Sequence, residues 1–401
     1  MADHQPGTSR SLSQALRRFM ALESAGGIVL MAATAGALVW ANSPWRDGYA
    51  ALWDTRFEVG WGPLHLDERL RAVVNDAFMT LFFFVVGLEI KRELVAGELR
   101  DPRAVGLPVL AALGGMVVPA GIYGALNAGG AGSAGWGIPM ATDIAFALGV
   151  VALLGHRIPP PLKVFLLTLA IADDVGAILV IAAFYSTGLS WPWLGAAAGG
   201  LTTVAVLRRL QVWTLPVYVA VGAAVWFATH ESGVHATIAG VALGLLAPAR
   251  PRTPDEAPVT ERLENALHPW TGFVIVPLFA LANAGVPVSA GALGDALTSP
   301  VGGGIVLGLV AGKLVGVTGG SWLAVRLGLG RLPDGVSWVQ LVAVAALAGI
   351  GFTVSLFIAG LAFEDPAMRE SATLAILGAS VLAALLGIAL STATRSTGGR
   401  R

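Results

Sequence analysis

Four ionisable residues lie deep inside long apolar stretches of this 401-residue chain: Asp143, Asp173, Asp174 and Lys313. At the centre of a lipid bilayer each such side chain costs about 2.5–3.5 kcal/mol. A cost of that size is difficult to explain by packing, and ionisable side chains at membrane depth usually line an ion or proton path. Because acids outnumber the base, the sequence predicts a carrier that binds a small cation at a site where protons also bind.

Asp173 and Asp174 are adjacent in LALAIADDVGAILV (167–180), a segment rich in helix-forming apolar residues. Neighbouring residues on a helix point about 100° apart, so one carboxylate can face a cavity while the other meets a neighbouring helix. Two acids this close in a low-dielectric site also resist joint ionisation, and a bound cation would stabilise both charges. Competition between cation and protons for these carboxylates is the chemistry of exchange. A structural ion pair at a helix kink is the other interpretation.

Two apolar segments carry internal breaks. In GWGIPMATDIAFALG (135–149), Pro139 precedes Thr142 and Asp143, and ALAGIGFTVSLFIAG (346–360) contains a Gly-Ile-Gly sequence. Such breaks let a helix unwind where the freed backbone faces protein or a wet cavity. If the two broken helices cross, Asp143 would offset the positive partial charges of their facing N-terminal ends.

Lys313 lies in GLVAGKLVGV (308–317), about a dozen residues from either end of its apolar span. This depth argues against a lysine that extends its amine to the membrane surface, because its side chain is too short to reach water from there. We expect the ammonium either to offset the facing C-terminal ends of the broken helices or to pair with Asp173.

The composition is that of a membrane protein. Hydrophobic residues make up 55% of the chain and charged residues 12%, about half the charged fraction of an average soluble domain. The formal net charge is zero, which gives no indication of a nucleic-acid partner. The absence of cysteine excludes disulfides and thiol catalysis, and the six histidines show no metal-binding spacing, so no cofactor is expected.

Twelve apolar stretches predict an all-α polytopic membrane protein that forms a single domain over 1–401. The spans lie near 24–42, 72–90, 104–125, 135–155, 162–186, 190–207, 212–229, 232–249, 268–286, 300–325, 337–361 and 371–393. The first is too long for a signal-peptide core and is expected to be a membrane anchor.

The distribution of basic residues along the chain tests the prediction of twelve membrane spans. With the N-terminus in the cytoplasm, the cytoplasmic segments hold 19 Lys and Arg residues and the opposite side holds five. This follows the positive-inside rule and would be lost if one span were missed. Both termini are therefore expected in the cytoplasm, with tails at 1–23 and 394–401, a proline-rich cytoplasmic loop at 248–264 and a periplasmic loop at 43–71.

The periplasmic loop contains FEVGWGPLHL (57–66), which alternates partly around a Gly-Pro turn and so predicts a β-hairpin. An isolated hairpin is only marginally stable in water. We therefore expect it to contact the same hairpin of a second copy, with an ordered surface loop as the alternative.

Further titratable residues are candidates for sensing pH. Glu89, Arg92 and Glu93 lie at the inner end of the second span, where a solvated helix end is the simpler interpretation from the residues alone. His235 and His268 titrate near neutral pH. For them, packing or an interfacial position is the simpler interpretation.

Several segments together resemble the NhaA family of bacterial sodium/proton antiporters over nearly all of the chain. They are, in order, NDAFMTLFFFVVGLEIKREL, ATDIAFALGVVALLG, LALAIADDVGAI, SGVHATIAG, RLENALHPW, LFALANAGV, AGKLVG and GIGFTVSLFIA. The resemblance implies an inverted repeat that relates spans 3–5 to spans 10–12 through the two interrupted spans, 4 and 11. This family is itself a reference case for the rule that such paired breaks mark a binding site at mid-membrane.

The resemblance also assigns roles in the transport site. It implies that Asp174 is the principal carboxylate for cation and protons, and that Asp173 is a second titrating group that exchanges a salt bridge with Lys313. Thr142 and Asp143 would lie at the unwound part of span 4, near the ion. The implied activity is electrogenic exchange by alternating access, in which more protons enter than Na⁺ or Li⁺ ions leave, with activation at alkaline pH.

The family's members are typically dimers in the bacterial inner membrane, paired partly through a hairpin like 57–66, and they serve salt and pH homeostasis. The resemblance lends weight to a cytoplasmic pH-sensing region, whose candidates are Glu89, Arg92, Glu93, Glu264, His235 and His268. One departure is Asn265, which stands where the family often has a second histidine. This substitution bears on the pH of activation rather than on the transport chemistry.

Three other functions share some of these features. A Na⁺- or H⁺-coupled carrier of a small organic solute would need extra polar anchors, and the spans beside Asp173 and Asp174 offer few. An intramembrane aspartyl protease would need YD and GxGD pairings, which the sequence lacks. A channel is less consistent with deep titrating acids and a lysine than alternating access is.

Overall fold

The computed structural model describes residues 25–61, 64–97, 102–212, 214–250 and 256–398. The predicted tail 1–23, the turn of the hairpin at 62–63 and part of the predicted loop 248–264 lie outside these residues. The described chain is predominantly helical and contains a two-stranded β-sheet. The predicted all-α membrane fold with a small hairpin is therefore confirmed at this level.

The helices follow one another with short connections. In chain order they are α1 (Ala25–Ala41), α2 (Arg46–Asp54), α3 (Leu70–Ala96), α4 (Pro102–Leu126), a 3-10 helix (Ala131–Met140), α5 (Ile144–Leu154), α6 (Pro160–Phe184), α7 (Trp191–Arg209), α8 (Leu215–Glu231), α9 (Thr237–Leu246), α10 (Val259–Asn283), α11 (Ala290–Thr298), α12 (Pro300–Arg326), α13 (Trp338–Leu347), α14 (Phe352–Ala362) and α15 (Pro366–Gly398). The last helix extends into the residues assigned from sequence to the tail 394–401.

Within the described residues, six helices are individually long and apolar enough to cross a membrane. They are α3, α4, α6, α10, α12 and α15. Three bent pairs raise the number to nine if each pair is one span. The chain is therefore a multi-pass membrane protein.

The two predicted helix breaks are confirmed. The 3-10 helix and α5 meet at 44° across Ala141, Thr142 and Asp143, and α13 and α14 meet at 47° across 348–351. In a third bent pair, α1 and α2 meet at 113°, so the chain turns sharply after its first long helix.

The predicted hairpin is confirmed and is longer than the 57–66 segment. Strand β1 (Arg56–Trp61) pairs antiparallel with β2 (Leu64–Arg69), with Arg56 opposite Arg69 and Trp61 opposite Leu64. α3 begins directly after β2, so the hairpin is joined without a linker to a membrane helix.

Glycine allows two helix pairs to pack closely, as is common where lipid supplies no hydrophobic driving force between helices. A Cβ atom on Gly114 of α4 would lie 2.1 Å from the carbonyl oxygen of Gly316 of α12. Similarly, a Cβ atom on Gly240 of α9 would lie 2.2 Å from the carbonyl oxygen of Thr80 of α3. These contacts fix α4 against α12 and α9 against α3.

Three of the long helices contain a π-helical turn. The turns are Val74–Phe78 in α3, Thr271–Ile275 in α10 and Gly308–Gly312 in α12. Turns of this kind are frequent at functional sites because they redirect the side chains that follow. Lys313 comes directly after the turn in α12.

Candidate ion-binding site

The two interrupted helices contact each other where their chains are unwound. The backbone N–H of Asp143 donates to the carbonyl oxygen of Ile350 at 2.6 Å, and the Ser355 hydroxyl donates to the carbonyl oxygen of Ile138 at 2.8 Å. The residues of both breaks are buried. Backbone groups freed by each break are thus bonded to the other broken helix, which makes unwound chain tolerable inside a membrane protein.

Asp143 caps two helices at once. Its Oδ1 accepts from the backbone N–H of Phe146 at 2.9 Å, in the first turn of α5. Its Oδ2 accepts from the N–H of Thr353 at 3.0 Å and from the Thr353 hydroxyl at 2.5 Å, in the first turn of α14. A single buried carboxylate therefore meets the positive N-terminal ends of both half-helices, in the geometry expected from the sequence.

Lys313 pairs with Asp173. Its Nζ forms an ion pair with Asp173 Oδ2, and both side chains are 0% exposed. The lysine of α12 is therefore not directed to the membrane surface, and Thr142 connects it to the C-terminal end of α13. Buried charges persist when they are paired and hydrogen-bonded, because either one alone would be strongly destabilising.

Thr142 connects this ion pair to the crossing. Its hydroxyl oxygen accepts from Lys313 Nζ at 3.0 Å and lies 2.7 Å from Asp173 Oδ2 and 2.8 Å from the carbonyl oxygen of Ala348. A hydroxyl has one proton to donate, so it can serve only one of these two acceptors at a time. Thr142 therefore has two alternative hydrogen-bonding states within an otherwise fixed site.

Asp174 faces a cavity instead of a partner helix. This space, which we call the ion cavity, has a volume of about 70 Å³. Its polar lining comprises Glu89, Thr142, Asp143, Asp174, His268, Thr271 and Thr353. The two adjacent aspartates of α6 thus point in different directions, one to Lys313 and one to the cavity, as the helical geometry predicts.

The ion cavity offers oxygen donors of the type that a small alkali cation prefers, namely carboxylates and hydroxyls. Among the described residues, no three His, Asp or Glu side chains converge as they do in a resident metal centre. Asp173 is paired with Lys313, whereas Asp174 lines the cavity. A cation here would be transported substrate and not a structural ion.

The acidic and basic residues at the C-terminal end of α3 form a network. Arg92 forms an ion pair with Glu264 of α10, pairs with Glu93 at 3.2 Å and lies 4.0 Å from Glu89. The Glu264 side chain is only 6% exposed. A solvated helix end, the simpler interpretation from the residues alone, would leave these side chains in water. The structure instead joins α3 to α10 through Arg92, next to the ion cavity.

The two histidines singled out from sequence have different positions. His268 lines the ion cavity. His235 is half-buried, and its Nε2 lies 2.9 Å from the carbonyl oxygen of Tyr185 at the end of α6, away from Asp174. Asn265, at the position of the family departure, is exposed beside the buried Glu264.

A second cavity lies at the N-terminal end of α3, which directly follows the hairpin. We call it the hairpin-side cavity. It has a volume of about 320 Å³, and its lining includes Arg71 and Asn75 of α3 and Arg369 of α15. Along α10 the ion cavity ends at Val276 and the hairpin-side cavity begins at Asn283.

A cluster of buried aromatic rings lies between the two cavities. Phe279, between those two positions on α10, is 1% exposed. Its ring centroid is 6.2 Å from that of Phe357 of α14, which in turn lies 5.4 Å from that of Phe83 of α3. Three helices therefore contribute one ring each to an apolar barrier.

Sequence reasoning did not identify Thr353, Arg71, Arg369 or the aromatic cluster as parts of a site. Thr353 had a usable signal, because a threonine directly after a helix break is well suited to an N-terminal hydrogen bond. The two arginines had none, since they are far apart in sequence and only the tertiary fold brings them to one cavity.

Comparison with known proteins gives a consistent result over the length of the chain. A family model described as Na⁺/H⁺ antiporter 1 matches residues 17–390. The Na⁺/H⁺ antiporter NhaA of Acidovorax sp. (strain JS42) is 51% identical, covering 93% of this chain and 91% of its own. The Na⁺/H⁺ antiporter NhaA of Oleidesulfovibrio alaskensis is 47% identical, covering 93% of this chain and 92% of its own. With the family resemblance of the sequence thereby confirmed, the chain belongs to the NhaA family of Na⁺/H⁺ antiporters.

Proposed function

We propose that this Na⁺/H⁺ antiporter binds its cation at Asp174 in the ion cavity and that protons compete for the same carboxylate. Membership of the family makes the chain a transporter and not an enzyme. The observation that carries the proposal is that the two adjacent aspartates have different surroundings. Asp174 lines the cavity, whereas Asp173 is held by Lys313.

Coupling follows from the charges around this carboxylate. A cation that enters the cavity stabilises ionised Asp174 and so displaces its proton. If the Asp173–Lys313 pair opens in another conformation, Asp173 becomes a second group that exchanges a proton. Two protons against one Na⁺ or Li⁺ would make the exchange electrogenic.

Alternating access is supported by the arrangement of the two cavities. They lie at different depths along α3 and α10 and are separated by Phe83, Phe279 and Phe357. We propose twelve membrane crossings with both termini in the cytoplasm of a bacterial inner membrane. An inverted repeat would relate α4 to α6 with α12 to α15, each half containing one broken helix.

Activation by pH is assigned to the Arg92 network. Arg92 pairs with both Glu264 and Glu93, and Glu89 and His268 extend the network to the ion cavity. A change of protonation there would alter the contact between α3 and α10, two helices that enclose the cavity. His235, which is bonded to the backbone of α6, is a secondary candidate.

Dimerisation is assigned to the hairpin. Within the described residues the sheet has two strands, so each strand has an edge whose backbone groups can pair with another chain. A second copy of the same hairpin is the partner that we propose, since an isolated two-stranded sheet is marginally stable.

The organic-solute carrier that the sequence left as an alternative is less consistent with the ion cavity. An organic substrate would need room and several polar anchors, whereas the ion cavity measures about 70 Å³. This size is better suited to a cation that has lost most of its water.

The first test is proton movement in membrane vesicles of known orientation, followed with a dye that reports the pH gradient. Addition of Na⁺ or Li⁺ should dissipate the gradient in the wild type, more strongly at alkaline pH, and should have no effect in Asp174→Asn. Asp295→Asn, an exposed aspartate on α11, is the matched control and should behave as wild type. Retained sodium-driven proton flux in Asp174→Asn would remove Asp174 from the site. Absence of any cation response in the wild type would favour the organic-solute carrier.

A further inference from the structure

The hairpin-side cavity is lined by two guanidinium groups that have no carboxylate partner among the described residues. Arg71 and Arg369 both contribute to its wall, and neither forms an ion pair within that part of the chain. The lining also contains Asp47 and Glu370, but both are exposed, and Asp47 lies 3.7 Å from Arg46. The inner wall of the cavity is therefore positively charged.

Both arginines lie in the first turn of a long helix. Arg71 is the second residue of α3 and Arg369 the fourth of α15. The N-terminal end of a helix carries a positive partial charge, so a basic side chain is unfavourable there and an anion is favourable. Two such ends and two guanidinium groups thus meet at one cavity.

Hydrogen bonds orient Arg369, whereas Arg71 has a buried donor without a partner in the described part of the chain. Arg369 donates from Nε and Nη2 to the carbonyl oxygen of Phe363 at 3.3 and 2.8 Å. Nε of Arg71 is buried and, within the described residues, has no hydrogen-bond acceptor. A buried donor without an acceptor is costly, and an oxyanion in the cavity would supply one.

The rest of the cavity supplies neutral polar groups. The side-chain amides of Asn75 and Asn283 bond to each other, at 3.2 and 2.7 Å, and join α3 to α10. The Tyr49 hydroxyl donates to the carbonyl oxygen of Leu281 at 2.8 Å. These groups are already paired, so the charge of a ligand would be met mainly by the two arginines.

We propose that the hairpin-side cavity is a binding site for an oxyanion of the phosphate class, held between Arg71 and Arg369. Guanidinium groups bind phosphate through pairs of charge-assisted hydrogen bonds. The bound anion links the start of α3, directly after the hairpin, to the start of α15. The phosphate can come from free inorganic phosphate or from the headgroup of an anionic lipid.

The test uses the purified full-length protein in a neutral detergent at constant ionic strength and pH. Inorganic phosphate is titrated in exchange for gluconate while the melting temperature is recorded. We expect a saturable rise for the wild type and for Arg46→Gln, a rim arginine that is exposed and close to Asp47. In Arg71→Gln and in Arg369→Gln the apparent affinity for phosphate should fall by roughly tenfold, because one charge-assisted contact is lost.

A second titration with short-chain phosphatidylglycerol, against phosphatidylcholine, distinguishes the two sources. A saturable rise with phosphatidylglycerol alone, lost in the two variants, assigns the site to a lipid headgroup; a rise with phosphate assigns it to the free anion. Retained Na⁺/H⁺ exchange in each variant shows that it folds. The proposal is overturned if neither probe gives a saturable rise, or if Arg71→Gln and Arg369→Gln respond as the wild type does.

Discussion

The two cavities of this antiporter differ in the sign of the charge that lines them. The carboxylates of Asp143, Asp174 and Glu89 line the ion cavity, whereas Arg71 and Arg369 line the hairpin-side cavity. A cation is therefore attracted on one side of the aromatic barrier and repelled on the other. This difference teaches that fixed charge alone can make one side of the barrier favourable for a cation and the other side unfavourable.

The largest expected effect comes from removing the base that pairs with Asp173. Lys313→Ala should lower the free energy of unfolding by about 3–5 kcal/mol, because it leaves Asp173 buried without a counter-charge. It should also shift the pH profile of exchange. Thermal unfolding and vesicle assays would measure the two effects, with Lys163→Ala, at the start of α6, as the control.

A double variant separates charge from packing at this site. Asp173→Asn combined with Lys313→Ala should recover a substantial part of the lost stability, since no unpaired charge is then buried. If Lys313→Ala alone leaves the melting temperature and the pH profile unchanged, the proposed role of the lysine is wrong.

A smaller effect should follow from reducing one aromatic ring of the barrier between the two cavities. Phe357→Leu removes part of one ring and should cost about 1–2 kcal/mol of stability, less than truncation to alanine. Exchange should persist, but proteoliposomes should show a proton leak in the absence of Na⁺. Phe184→Leu, which alters a side chain that is 65% exposed, is the control. If proteoliposomes with Phe357→Leu show no proton leak, the Phe357 ring is not part of the barrier.

The smallest effect should come from reducing the positive charge of the hairpin-side cavity. Arg369→Gln should lower the apparent KM for Na⁺ presented on the hairpin side by about two- to threefold at low ionic strength, because repulsion is weaker. The difference should vanish at high salt, where such fields are screened. Proteoliposomes of both orientations allow the comparison, and an equal change on both sides would contradict it.

Much of the candidate site could be predicted because its geometry is local. Adjacent positions on α6 had to point apart, and that alone anticipated separate environments for Asp173 and Asp174. Pro139 and the glycines at 349 and 351 marked the two breaks, since they weaken helical hydrogen bonding wherever the chain folds. The Gly-Pro turn marked the hairpin in the same way.

The parts that escaped prediction depend on contacts between distant residues. From the sequence, the inner end of α3 is interpreted as a solvated helix end. Its partner Glu264 lies 172 residues after Arg92, and no local pattern indicates that the two side chains pair. Asn75 and Asn283 are 208 residues apart and pair only because α3 packs beside α10. Periodicity reports which face of a helix is apolar but not which helix it will meet.

The close packing of α12 against α4 has a consequence for how transport is timed. Lys313 stands between Gly312, packed on Pro119, and Gly316, packed on Gly114, and its Nζ and Cδ lie close to Gly115. Because α12 packs this closely on α4, a displacement of α6 relative to α12 would change the distance between Lys313 and Asp173. In the mechanism proposed above, the ion pair would couple a movement of α6 to a change of protonation of Asp173.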